Sequence, residues 1–113
     1  MNNKTKGKSQ AQRKRIETNL IEQLKTNGTY SEFYADIIND YMDLWDIKNN
    51  LIQDIKSRGV TVTYNHGGGQ SGRKQNDSIQ GLVKISDRMG KLLLTMGIKP
   101  DNVITDDDGD IDL

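Results

Sequence analysis

One segment governs what this chain can become: "TYSEFYADIINDYMDLWDIKNNLIQDIKSRG", Thr29 to Gly59, which keeps helical spacing throughout. Phe33, Ile37, Tyr41, Leu44, Lys48, Leu51 and Ile55 form one stripe, broken in polarity only by Lys48. Tyr34, Ile38, Tyr41, Trp45 and Ile52 form a second beside it. Thr29 or Ser31 supplies the N-cap; with Thr29 in that place Glu32 completes a capping box, and Arg58-Gly59 gives a basic last turn and a stop. Such a helix is roughly 40 Å long. Its apolar surface is wider than one short neighbouring helix covers, so it is expected to pack both within its subunit and against another copy. Tyr41 and Trp45 are the expected anchors of that oligomer interface. The competing reading puts both rings in the subunit's own core.

Two further helices flank this one. Ile16, Leu20 and Leu24 stand four apart with Ile21 beside them, and Asn27-Gly28 follows, which predicts a helix over about 10–26. Ile79, Leu82, Val83, Ser86, Met89, Leu92, Leu93 and Met96 predict a third, capped by Asn76 or Asp77 and closed by Gly97 with Pro100 beyond. Gly81 and Gly90 interrupt it and mark either close helix contacts or bends. The expected fold is therefore all-α: three main helices, the central one long, with an extended glycine-rich connector and flexible charged termini. The chain divides into a basic arm at 1–9, a helical oligomerisation core at 10–100 and an acidic tail at 101–113.

The connector contains "TVTYNHGGGQSGRKQNDS", Thr61 to Ser78, and invites comparison with a phosphate-binding loop. Gly67 and Gly72 have the separation of the two glycines in that motif. Arg73 and Lys74 then occupy the places of its lysine and magnesium-binding hydroxyl, and no second strand of comparable quality accompanies "VTVTY". Residues 59–75 are instead expected to form an exposed excursion, extended from Val60 to Tyr64 and mobile from Gly67 to Gly72. Val60, Val62 and Tyr64 share one face, so a short hairpin or an edge against a neighbour is open. His66 reads as solvent-exposed or hydrogen-bonding rather than catalytic. Arg73 and Lys74 are candidate phosphate contacts, against a plain solvated turn.

Composition removes several function classes. The 113 residues suffice for one domain, and with 33% apolar residues a lone subunit has little to spare for its core. There is no cysteine and a single histidine, which excludes disulfides, thiolate chemistry and a zinc cluster. No apolar run approaches the ~18 residues of a membrane span, so no membrane partner is expected and the protein should work in the cytosol. Glu32, Asp36, Asp40 and Asp43 line one side of the long helix, but no second carboxylate cluster converges on them. They read as a solvated or intersubunit face. No catalytic residue, metal or cofactor is predicted.

A net charge of zero hides a lopsided arrangement. Residues 1–15 carry six bases and no acid, Lys4, Lys6, Lys8, Arg13, Lys14 and Arg15, whereas residues 101–113 carry six acids and no base. The bases suit contact with a polyanion's backbone and the acids suit contact with a protein, or the two shield each other, or both only solubilise the ends. In the tail, Ile111 and Leu113 punctuate Asp106, Asp107, Asp108, Asp110 and Asp112 in the manner of a docking segment. A calcium loop there lacks the closing glutamate.

The order of these elements, with "IKSRGVTVTYNHGGG" ending the long helix and "KQNDSIQGLVKISDRMGKLLLTMGIKPDNV" following it, resembles the P27-type family of phage terminase small subunits from about Ile16 to Ile104. An element like "KQNPS" opens the family's last core helix and one like "LGLTPS" follows it. Here these are Lys74 to Ser78 and Met96 to Pro100, with Asp77 in place of the usual proline and Asp101 in place of the final serine. The resemblance implies a helical subunit of a ring, not itself an enzyme. Such a ring recognises viral double-stranded DNA in the bacterial host cytoplasm and delivers it to the terminase large subunit, which carries the ATPase and nuclease. That large subunit is the partner it implies for the acidic tail. Two rivals stand beside it: a dimeric DNA-binding transcriptional regulator, made awkward by the acidic first turns of the long helix, and a helical adaptor that never touches nucleic acid.

Overall fold

A computed structural model describes residues 3–99 and, within them, the side chains other than those of residues 3–9, 66 and 70. Their order is α1 (Asn3–Thr26), α2 (Glu32–Arg58), β1 (Thr61–Gly67), β2 (Gln70–Gln75) and α3 (Asp77–Thr95). All three predicted helices are present. α2 is central and contacts both α1 and α3. Its N-cap is Ser31, whose hydroxyl accepts from the Tyr34 N–H at 3.3 Å, so the capping box built on Thr29 does not form. The Thr29 hydroxyl instead donates back to the Leu24 carbonyl. α1 and α3 end alike: Thr29 N–H bonds to Leu24 O and Gly28 N–H to Lys25 O, and Ile98 N–H bonds to Leu93 O and Gly97 N–H to Leu94 O.

α1 begins at Asn3, well before the start near residue 10 that its apolar spacing predicts. Lysine, arginine, glutamine and alanine are all good helix formers, so the backbone continues where no apolar stripe demands it. Of the side chains described on α1, those of Gln10, Ala11 and Gln12 are exposed, and Arg13 and Ile16 are half-buried.

The core joins the three helices through Leu20, Leu24, Ile38, Met42, Trp45, Met89, Met96 and Ile98. Leu24 is fully enclosed, and Ile38 and Met42 are nearly so. Trp45 belongs to this cluster at 6% exposure, and Tyr41 packs against it half-buried. Within one chain little of the Trp45 ring is left exposed, whereas Tyr41 keeps part of its surface open. The large apolar residues that do stand out are Phe33 and Ile47 on α2, Val83 and Leu94 on α3, and Tyr30 and Val60 in the connections.

The expectation of a purely helical chain with an extended, mobile connector is corrected here: the glycine-rich segment folds as an antiparallel hairpin, one of the two alternatives its alternation left open. β1 and β2 pair Thr61 with Gln75, Val62 with Lys74, Thr63 with Arg73, Tyr64 with Gly72 and Asn65 with Ser71, then Gly67 with Gln70 across a bulge. The two residues between, Gly68 and Gly69, have φ of +56° and +80°. Positive φ at both central positions is what a type I′ turn requires, and its twist matches that of the strands. β2, "QSGRKQ", has no apolar residue to announce it. It is held by local pairing, with the Tyr64 ring lying over Gly72, where a Cβ would come within 2.8 Å of the phenol oxygen.

Candidate nucleic-acid interface

The hairpin and α3 are fixed to α2 at one junction. Asn76 is fully buried and all four hydrogen-bonding positions of its side chain are used. Oδ1 accepts from the Ser78 N–H at 2.9 Å, which caps α3, and from Arg58 Nη2 at 3.1 Å; Nδ2 donates to Asp54 Oδ2 at 3.1 Å and to the Gly59 carbonyl at 3.0 Å. Asp54 also accepts from the Ser78 hydroxyl at 2.6 Å and from Arg58 at 2.7 and 2.8 Å. The paired Arg58 guanidinium, with the hydrogen bonds from Ser78 and Asn76, holds the Asp54 carboxyl well below the usual carboxylate range. Among the described residues no buried side-chain polar atom lacks a partner. The sequence pointed to Asn76 only as a cap; its long-range partners carry no local signal. Asp77 is the first helical residue, where proline and acidic residues are both favoured, so aspartate is a conservative occupant there in physical terms.

From this junction the hairpin presents two unlike faces. Val62 and Tyr64 are half-buried, whereas Thr61, Thr63, Asn65, Ser71, Arg73 and Gln75 alternate onto the exposed face. Arg73 and Lys74, paired as candidates in sequence, therefore point to opposite sides. Lys74 donates to Asp77 at 3.2 Å, and the exposed face is left with Arg73 as its one charge. The hydroxyl and amide groups around Arg73 add donors and acceptors that the charge pattern alone did not reveal; the alternation of "TVTYN" is the signal that finds them.

The other basic candidates lie on α1. Lys14 and Arg15 are exposed. Arg13 is not free: its Nε donates to Asp46 Oδ1 at 2.9 Å, tying α1 to α2, and this pairing raises the guanidinium's pKa further. Lys4, Lys6 and Lys8 belong to the helical backbone of α1, and their side chains fall outside those described. The candidate docking residues Asp106, Asp107, Asp108, Asp110, Ile111, Asp112 and Leu113 lie outside the described residues.

Glu32, Asp36, Asp40 and Asp43 are exposed along α2, and no three potential ligands converge on a metal position among the described residues. Asp40, Asp43 and Leu44 form one wall, and Arg88 and Leu92 the other, of an open groove of about 240 Å³ between α2 and α3. Burial pushes the Tyr41 phenol up, away from any role as a proton donor near neutrality. Among the described residues no helix is long and apolar enough to cross a membrane.

No curated protein and no solved structure matches the chain. A family model described as "Phage terminase, small subunit" matches residues 14–102. The match spans the helical core, the hairpin and the Asn76 junction, and leaves outside it the bases before Lys14 and the acids from Asp106 onward. With most of its length matched, the chain belongs to the phage terminase small-subunit family.

Proposed function

We propose that this chain is the non-catalytic DNA-recognition subunit of a phage packaging machine, of the P27 type. It assembles with copies of itself into a ring, binds viral double-stranded DNA in the host cytoplasm and passes it to the terminase large subunit. Family membership over residues 14–102 supports the role. The observation that carries DNA contact is the pair Lys14 and Arg15, exposed on α1 beside a body of no net charge. Lys4, Lys6 and Lys8 extend the same basic segment, and Arg73 adds a second contact amid hydrogen-bonding side chains. Contacts of this kind go to the phosphate backbone and position the duplex more than they read it. The acidic tail, Asp106 to Leu113, is repelled by DNA and is assigned to the large subunit.

Duplex binding measured across salt concentrations tests the reading. Replacing Lys14 and Arg15 together by alanine should lower the log–log salt slope by about 2 units, roughly 0.9 for each phosphate that is no longer neutralised. An unchanged slope would remove this segment from the interface. A chain that assembles but ignores duplex at low salt would be the adaptor instead. Truncation after Asn102 should abolish large-subunit binding and preserve DNA affinity; equal binding by the truncated chain would reject the tail assignment.

A further inference from the structure

The two glycines inside α3 have unlike surroundings. A Cβ at Gly81 would sit 3.4 Å from Leu51 Cδ1 of α2, so Gly81 is where these two helices come close. A Cβ at Gly90 would meet nothing within 4 Å. Glycine in a helix interior costs stability relative to alanine, and at Gly90 no contact within the subunit accounts for that cost. Gly90 also lies on a line: Val83, Asp87, Gly90 and Leu94 follow four-three-four spacing and are all exposed, Val83 at 60% and Leu94 at 68%. That is the spacing of a seam facing another helix.

α2 carries a second exposed seam, Phe33, Asp36, Asp40, Asp43 and Ile47, with three-four-three-four spacing. Phe33 is 74% exposed and Ile47 44%. Its three aspartates have no ion-pair partner among the described side chains. Around the α3 seam the balance is reversed. Lys84 is exposed and without an ion-pair partner among the described side chains, while Asp87 is neutralised by Lys91 at 3.1 Å; Arg88 instead lines the groove it shares with Asp40 and Asp43 of its own subunit. The two seams thus match in spacing and in their apolar ends, and Lys84 offers a base to the aspartates of the α2 seam.

We infer that the α3 seam of one copy packs on the α2 seam of the next, with Gly90 as the point of closest approach. The occupant is a second copy of this chain because each surface supplies what the other lacks. Since the two seams are different surfaces, the contact is head-to-tail, the type that generates rings when its rotation closes. The inference takes from the functional reading only that copies meet, and adds where.

Light scattering of the full chain over a concentration series, with circular dichroism and thermal melting to follow the fold, tests it. Gly90→Ala and Gly90→Gln should weaken assembly at least tenfold while leaving helicity unchanged or higher, because both residues favour a helix and the site is open within the subunit. Asp40→Lys and Lys84→Glu should each weaken assembly, and the two combined should recover most of the loss. Gly90→Gln assembling like the wild type, or a double reversal no better than the single ones, would overturn the seams and leave the ring intact. A wild-type chain that stays monomeric at all concentrations would overturn both the seams and the ring, and would leave DNA binding to be judged by its own salt slope.

Discussion

Around Asn76, side chains from α2, the end of the hairpin and α3 satisfy one another completely, whereas on α1 Gln10, Ala11, Gln12, Lys14 and Arg15 stand exposed. Both regions are polar: asparagine, aspartate, arginine and serine in the first, lysine, arginine and glutamine in the second. In the first, burial makes each hydrogen bond obligatory, because an unpaired polar group there pays its full desolvation. In the second, water reaches the exposed groups, and the charges of Lys14 and Arg15 remain available to a partner. Stability and the proposed DNA contact are thereby separated along the chain, with Arg13 at the border.

The largest effects should come from the packed region. Trp45→Ala is expected to cost about 4 kcal/mol in urea unfolding, since the ring sits at 6% exposure among Ile38, Met42 and Met89. A folded variant of nearly unchanged stability that loses its oligomer would put Trp45 between subunits instead. Asn76→Ala comes next, at about 3 kcal/mol: about one for the lost cap of α3, the rest for the Gly59 carbonyl and Arg58 donor left without a partner. Loss of less than about 1 kcal/mol would mean that water replaces the amide and that the junction is not a closed unit.

These contacts also mark how far the sequence could be read. The three helices, the stop signals at Gly28, Gly59 and Gly97 and most of the core were legible, because 3.6-residue periodicity is a local property. β2 was not, because a polar strand paired through a glycine turn shows no alternation of its own. The Asn76 network was invisible for another reason: Asp54, Arg58 and Ser78 look like surface residues until the hairpin folds Asn76 back onto α2. Among the basic candidates, charge counting located Lys14 and Arg15 but could not reveal that Arg13 and Lys74 already have carboxylate partners.

A smaller effect is the acid response of the junction. Folding holds the Asp54 carboxyl well below its ordinary range, so the unfolded chain binds that proton more readily. The contribution is complete above the unfolded value near ~3.9 and is lost as pH falls through the depressed folded one. Asp54→Asn cannot titrate and serves as the reference. The stability gap between wild type and Asp54→Asn should be constant from about pH 5 to pH 7 and narrow below about pH 4. A gap that widens in acid would show that the carboxyl is destabilised by folding, contrary to its three hydrogen-bonding partners.

The smallest effect is at the border, and it decides whether Arg13 belongs to the body or to the segment proposed to bind DNA. Its ion pair with Asp46 is part-exposed, at 26% for the arginine side chain and 47% for the aspartate, so Arg13→Ala should cost under about 1 kcal/mol. In DNA binding the same substitution should change the salt slope by less than half the roughly 0.9 expected for Arg15→Ala, because a guanidinium held by a carboxylate releases few counterions from phosphate. Asp46→Asn gives the converse: with the carboxylate neutralised, Arg13 is released to the duplex and the slope should steepen by up to about 0.9. Equal slope losses for Arg13→Ala and Arg15→Ala, with no gain in Asp46→Asn, would mean that the pair opens on contact with DNA, which moves the border of the recognition surface inward onto α2.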